Sequence, residues 1–270
     1  MAASTVAAAP GPPPREGRLW DRALAYWALS YRRTWRGSVF SGFLSPLFFL
    51  ASMGFGLSTL VDRDGEALGV PYLLFVAPGV LVATAMQTAV GESTWPVMGA
   101  IKWQRQYHAM LAAPLGVTDV LVGHLVYVAF RVAVTSAVFL LVAGALGALA
   151  SWWAVLALPV TVVCGMAFAA PVFAFSARTE NDAGFNVLFR FVVMPLFLFS
   201  GTFFPLSQLP AALHPVAWVT PLWHGVEAAR SLSLGEATPL AVAGHVAFML
   251  AWVVGGVWLA RRSFRSRLVV

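Results

Sequence analysis

Residues 120–149 read VLVGHLVYVAFRVAVTSAVFLLVAGALGAL, from Val120 to Leu149, with one arginine (Arg131) in the whole run. As a helix, thirty residues rise about 45 Å, more than the roughly 30 Å of a bilayer's hydrocarbon core. A soluble strand or core helix has no use for such a stretch. Its natural solvent is lipid.

Five more runs of similar character flank it: 39–60, 70–90, 152–175, 187–204 and 240–259. The chain as a whole agrees. Of its 270 residues 60% are hydrophobic and 10% charged, and mean hydropathy is +0.80. A soluble domain carries about a quarter charged residues and could not cover its surface with so few. The expected fold is all-α and polytopic, with six transmembrane helices.

Net charge is +6. The basic residues fall in short segments beside apolar runs, a membrane pattern that argues against a nucleic-acid partner. Arg15, Arg18, Arg22, Arg32, Arg33, Arg36, Lys102, Arg105, Arg178, Arg261, Arg262, Arg265 and Arg267 lie on one side of the expected topology, and Arg63 and Arg230 on the other. About thirteen against two predicts that both termini are cytoplasmic. Sixteen arginines to one lysine, with abundant Ala and Val, suggests a GC-rich bacterial genome and a bacterial plasma membrane.

The expected domains follow. Residues 1–17 are Ala- and Pro-rich, lack the order of a signal peptide and read as a disordered cytoplasmic tail. The first span then serves as its own uncleaved insertion signal. Residues 18–37 read as an amphipathic helix at the membrane surface. Trp20, Trp27 and Trp35 recur on one side and Arg32 and Arg33 fall mostly on the other, suited to membrane lipids, although an ordinary aromatic and basic flank explains them too. Residues 38–262 form the six-span unit, and 263–270 a cytoplasmic tail. The turn at 60–69 is acidic and suits an outside loop. The connection at 147–151 is short enough to make a hairpin. Residues 204–236 hold Pro205, Pro210, Pro215 and Pro221 among apolar residues. They read as two short re-entrant helices, or alternatively as an interfacial loop.

The search for chemistry yields mostly exclusions. Lys102 follows Ala100 and Ile101, so no Gly-Lys-Ser/Thr phosphate loop exists and the chain binds no ATP by itself. His108, His124, His214, His224 and His245 form no close metal-ligand cluster, and structural roles are expected for them. Cys164 sits in an apolar run and reads as packing. Ser200-Gly201 with His245 raises an intramembrane serine protease as the alternative function, but Leu198 stands where that motif needs glycine. No polar pore-lining stripe supports a channel.

Ionisable residues inside spans are functional candidates because lipid makes them costly. Glu92 ends the second span and Asp119 heads the third, where a carboxylate suits the helix dipole. Arg131 either faces a polar cavity or sits only a third of the way into the membrane. Arg190 starts the fifth span and is expected to snorkel to the cytoplasm. Residues 99–114 form the most informative polar stretch. Ile101, Trp103, Tyr107, Met110 and Leu111 alternate with Lys102, Gln104, Arg105, Gln106 and His108, and Pro114 stops the helix. A short two-faced helix of this kind suits docking into a groove on a soluble partner, or simply lies on lipid.

Taken in order, four segments resemble the permeases of type-2 ATP-binding-cassette (ABC) exporters, especially those for daunorubicin resistance and nodulation lipo-oligosaccharides. They are Tyr72 to Gly79, Arg105 to Pro114 with Asp119 to Gly123, Leu198 to Leu206 with Leu209-Pro210, and Pro221 to Glu227. The resemblance covers nearly everything after Arg18. It implies a non-catalytic permease that pairs with a second copy or a related permease chain and sits on two copies of an ABC ATPase subunit. ATP and Mg would be bound by that partner and no cofactor by this chain. Residues 99–114 would be the coupling helix, with Lys102, Gln104, Arg105, Gln106, Tyr107 and Met110 as its contacts. The loop with Arg178, Glu180 and Asp182 would be a second contact. Glu92, Arg131, Phe203 and Phe204 are candidates for a pathway or gate, and the cargo expected is a drug, glycolipid or polysaccharide.

Overall fold

The structure, a computed structural model, describes residues 19–53, 56 and 69–269, and these are helical with no strand among them. The elements are α1 Trp20–Ser52, α2 Tyr72–Ser93, α3 Trp95–Lys102, α4 Gln106–Leu111, α5 Val117–Ala145 and α6 Ala157–Arg178. Next come α7 Ala183–Leu188, a π turn at Phe189–Val193, α8 Met194–Phe199, α9 His214–Val219, α10 Pro221–Leu234 and α11 Pro239–Leu268. Short 3-10 turns cover Trp152–Leu156, Leu206–Gln208 and Ala211–Leu213.

Four stretches are long and apolar enough to cross a membrane: Tyr72–Lys102, Val117–Ala145, Trp152–Arg178 and Pro239–Leu268. They match the second, third, fourth and sixth expected spans. The fifth differs. Its helical run is Ala183–Phe199, starting and ending about four residues before the expected 187–204, and it rises only about 26 Å. Ser200 and Gly201 stop it, Gly201 adopting φ +78°. The expected first span, 39–60, and the acidic turn at 60–69 lie partly outside the described residues, and the tail at 1–17 and Arg63 lie wholly outside them.

Helix α6 is the centre of the bundle, packing against α2, α5, α10 and α11. Small residues permit the close approaches, as is usual where lipid supplies no hydrophobic drive between helices. A Cβ on Gly256 of α11 would meet Pro171 Cδ of α6 at 2.6 Å, and one on Gly225 of α10 would meet Cys164 Sγ at 2.8 Å. Cys164 is thus buried packing, as its apolar surroundings suggested. The α5–α6 hairpin turns at Gly147, φ +71°.

Helix α1 carries both the expected amphipathic segment and the start of the expected first span. No boundary separates an amphipathic segment from a span near residue 37; one 33-residue helix runs through. Its first turns lie against the start of α5, where a Cβ on Gly123 would strike Ala23 Cβ at 2.6 Å. Asp119 fixes this contact. Its Oδ2 accepts from the Gly116 amide at 2.9 Å, capping α5, and its Oδ1 accepts from the Leu19 amide at 2.8 Å at the head of α1.

The Pro-rich segment holds two short helices, α9 and α10. Helix α10 packs on the bundle, with Leu222, Val226, Ala228 and Ala229 fully buried.

Candidate functional site

At one end of the bundle α2 breaks at Thr94 and the chain passes through α3 into α4. Arg105 makes the turn between them in the left-handed region, φ 51°, an uncommon conformation for a non-glycine residue. Around it Trp103, Gln104, Arg105, His108 and Ala109 are exposed, and Lys102, Gln106 and Met110 are half-buried. Lys102, Arg105, His108 and Arg267 line a basic cavity of about 390 Å³.

Tyr107 corrects the expectation for this segment. It does not belong to the docking face: its side chain is 0% exposed, turned into the bundle. Its hydroxyl shares a hydrogen bond with His124 Nδ1 of α5 at 2.6 Å, and its ring lies 5.5 Å from that of Phe264 of α11. Burial pushes the Tyr107 hydroxyl well above the ordinary phenol range, so it stays protonated. Trp27 stacks on the other face of this cluster, 3.8 Å from His124, and is 9% exposed. It is therefore a packing residue and not one of the surface tryptophans. Trp20 and Trp35 are exposed, as are Arg32 and Arg33, and Arg36 lies over the Trp35 ring.

The loop after α6 closes over the same end. Glu180 receives Lys102 Nζ at 2.8 Å and Arg267 Nη2 at 2.8 Å, so one exposed carboxylate joins α3, the loop and the end of α11. The Lys102 hydrogen bond, then the charges of Arg267 and Lys102, hold the Glu180 carboxyl below its usual range. Arg178 and Asp182 are exposed; Arg178 lines a separate cavity of about 410 Å³ with Phe175 and Leu259.

Deeper in the bundle Glu92 and Arg131 find each other. Arg131 Nη2 lies 2.9 Å from Glu92 Oε1, and its guanidinium sits 5.2 Å above the Tyr31 ring. Both side chains are largely shielded, so the pair answers the cost of each charge.

At the opposite end, three of the sequence segments singled out above come together. Gly79 of α2 abuts Thr202 so closely that a Cβ would lie 2.6 Å from its carbonyl oxygen. Arg230 of α10, buried to 6% exposure, reaches across both. Nη2 donates to the Gly201 carbonyl at 2.6 Å, Nε to the Phe75 carbonyl at 3.3 Å and Nη1 to Glu227 at 2.9 Å, with the guanidinium 3.9 Å from the Phe75 ring. The sequence had marked Arg230 only as a loop charge. Its signal was the Glu227–Arg230 spacing inside a Pro-started apolar helix, which places the two on one face. Phe203 and Phe204 are half-buried beside this staple, Phe203 packing 5.1 Å from Phe197 and 6.2 Å from Phe49.

The hydrolase alternative finds no geometry. The Ser200 hydroxyl is buried without a hydrogen-bond partner among the described residues, and His245 Nδ1 faces His224 Nδ1 at 2.8 Å. Among the described residues no three His, Cys, Asp or Glu side chains group to hold a metal.

Comparison with known proteins places this geometry in context. A family profile described as ABC-2 type transporter matches residues 22–234. Nodulation protein J of Rhizobium leguminosarum bv. trifolii is 30% identical over 100% of both chains. The protein of that name from Rhizobium meliloti is 28% identical over 95% of this chain and 96% of its own. A third, from Bradyrhizobium diazoefficiens, is 28% identical over 89% of this chain and 90% of its own.

Proposed function

The chain belongs to the ABC-2 type transporter family, and from that membership we propose how its parts work. It is the multi-pass membrane permease of an ABC exporter and acts with an ABC ATPase subunit. In our reading it pairs with a second permease chain on two ATPase copies. Those copies bind ATP and Mg, and this chain contributes no catalysis. Both termini face the cytoplasm, and the cargo is an amphipathic or lipid-linked molecule passing between the paired permeases.

One observation carries the coupling assignment. Around the α4 turn, Arg105 and His108 are open to a partner, while Tyr107 between them is locked to α5 and α11. Force applied to the exposed residues reaches two long helices through one buried phenol. At the other end Arg230 ties the exit of the fifth helix to α2 and α10, so it sits where an outward gate must part. The family match and the full-length likeness to the Nodulation protein J relatives support the permease reading.

The reading is tested by purifying the tagged chain from bacterial membranes in mild detergent and identifying what accompanies it. A soluble chain with an ATP phosphate-binding loop, in near-equal amount, is the expected companion. Recovery of the permease alone, under conditions that keep known complexes intact, contradicts it.

A further inference from the structure

A cavity of about 620 Å³ lies beside the fifth helical run and belongs to none of the contacts described above. Trp95, Asn186, Phe189, Arg190, Phe191 and Met194 line it. The size falls within the roughly 300–1,000 Å³ of small-molecule sites. Trp95 opens α3, which leads to Lys102, and Asn186 follows the loop that carries Glu180. The groove therefore sits at the end of the bundle that carries the Lys102–Glu180 pair.

Its chemistry is specific. Trp95 stacks on Phe189 at 5.4 Å, with Phe185 edge-on at 5.2 Å, giving a rigid aromatic wall. Against that wall stands one cation. Among the described residues Arg190 has no ion-pair or hydrogen-bond partner, whereas Arg131 and Arg230 each have a carboxylate. Arg190 also falls within the π turn Phe189–Val193, an irregularity that recurs at functional positions of helices. Sequence placed Arg190 at the start of a span, pointing to water. The structure places it eight residues into the helical run, in a groove that is otherwise apolar apart from the Asn186 amide.

We propose that this groove is the first station for cargo: it takes an amphiphile with an anionic head (phosphate, sulfate or carboxylate) and an aliphatic tail. The head pairs with Arg190 and hydrogen-bonds to Asn186. The tail lies along Trp95, Phe189 and Met194. A planar guanidinium suits such oxyanions because it donates two parallel hydrogen bonds. This inference rests on the exporter reading for what the bound molecule is. The site itself is tested without ATP or the partner.

The probe is a dodecyl phosphate carrying a diazirine on its chain, photolysed with the full-length protein in phosphatidylcholine nanodiscs and mapped by peptide mass spectrometry. Adducts are expected on Trp95 and within 186–194. They are competed by dodecyl phosphate, but not by dodecyl maltoside or inorganic phosphate. Arg190→Gln reduces labelling about tenfold, the size of one charge-assisted contact, and Arg190→Lys, which keeps the charge without the planar fork, restores only part of it. Labelling indifferent to Arg190→Gln overturns the proposal. So does full displacement by phosphatidylglycerol, which would mark a site for bulk lipid. Efficient cross-linking of Met194→Cys to a second copy, with loss of labelling, would mark a permease interface and also overturn it. Failure here with an ATPase still co-purifying leaves the exporter reading standing; loss of the ATPase with labelling intact does the reverse.

Discussion

Arg230 Nη2 donates to the carbonyl of Gly201 at 2.6 Å, joining α10 to the turn that ends the fifth helical run. Gly201 presents that carbonyl because its backbone is left-handed, φ +78°, where a side chain would be strained. The same guanidinium satisfies the Phe75 carbonyl. Arg230→Met should leave both carbonyls without this donor and the Glu227 carboxylate unpaired, costing about 3 kcal/mol. A thermal-unfolding midpoint lower by several degrees in detergent checks this. Arg230→Lys should recover less than half, because an ammonium has no planar fork to serve three acceptors. An unchanged midpoint in Arg230→Met would show that the staple carries no weight.

Asp119 serves two helix starts with one carboxylate. Asp119→Ala should cost about 1–3 kcal/mol, the sum of two lost caps. It should also free the head of α1, measured as faster hydrogen exchange at residues 19–24. Asp119→Asn keeps the shape and should fall between the two. Equal exchange in all three proteins would contradict the double cap.

Tyr107→Phe should remove about 1 kcal/mol by deleting the bond to His124 while keeping the ring in place. Tyr107→Glu puts a carboxylate where a phenol is wholly buried, and the folded chain should largely disappear from the membrane fraction. Fluorescence-detected gel filtration separates the outcomes. A well-folded Tyr107→Glu protein would return this residue to the exposed face that the sequence had assigned it.

Glu180 sets a pH window. Its carboxyl is held below the ordinary value, so the bridge to Lys102 and Arg267 is present above about pH 4.5 and is lost as pH falls through the lowered value. Spin labels at residues 104 and 182 should report one distance from pH 8 to 5 and a longer one in stronger acid. Glu180→Gln should show the longer distance throughout. Because all three groups are partly or largely exposed, high salt should also loosen the bridge.

These residues mark what the sequence could and could not reveal. Length and hydropathy identify a membrane bundle because lipid imposes them segment by segment, and four spans follow directly. The motifs around Gly79, Gly201 and Gly225 were visible as patterns, but their convergence on Arg230 was not, since it depends on how α10 packs. Tyr107 and Trp27 failed for a related reason. Local alternation shows that a short helix has two faces and does not say which one the bundle covers. Asp119 was read only as a carboxylate suited to the dipole at the head of α5; its bond to the Gly116 amide caps that helix, and the amide of Leu19, a hundred positions away, was out of reach of any local rule. Arg190 was read as the start of a span, and the π turn at Phe189–Val193 in which it sits, exposed, is a local irregularity that no periodicity rule shows.

The central claim is that an ATPase seats on the α4 turn, and site-directed cross-linking tests it most directly. The native Cys164 is buried, so single cysteines can be placed at Arg105, Met110 and, as a control at the far end, Val216. Each is treated with a short bifunctional reagent in the intact complex. We predict adducts to the ATPase chain from positions 105 and 110 and none from 216. Reactive but uncross-linked cysteines at 105 and 110 in an intact complex would contradict the account.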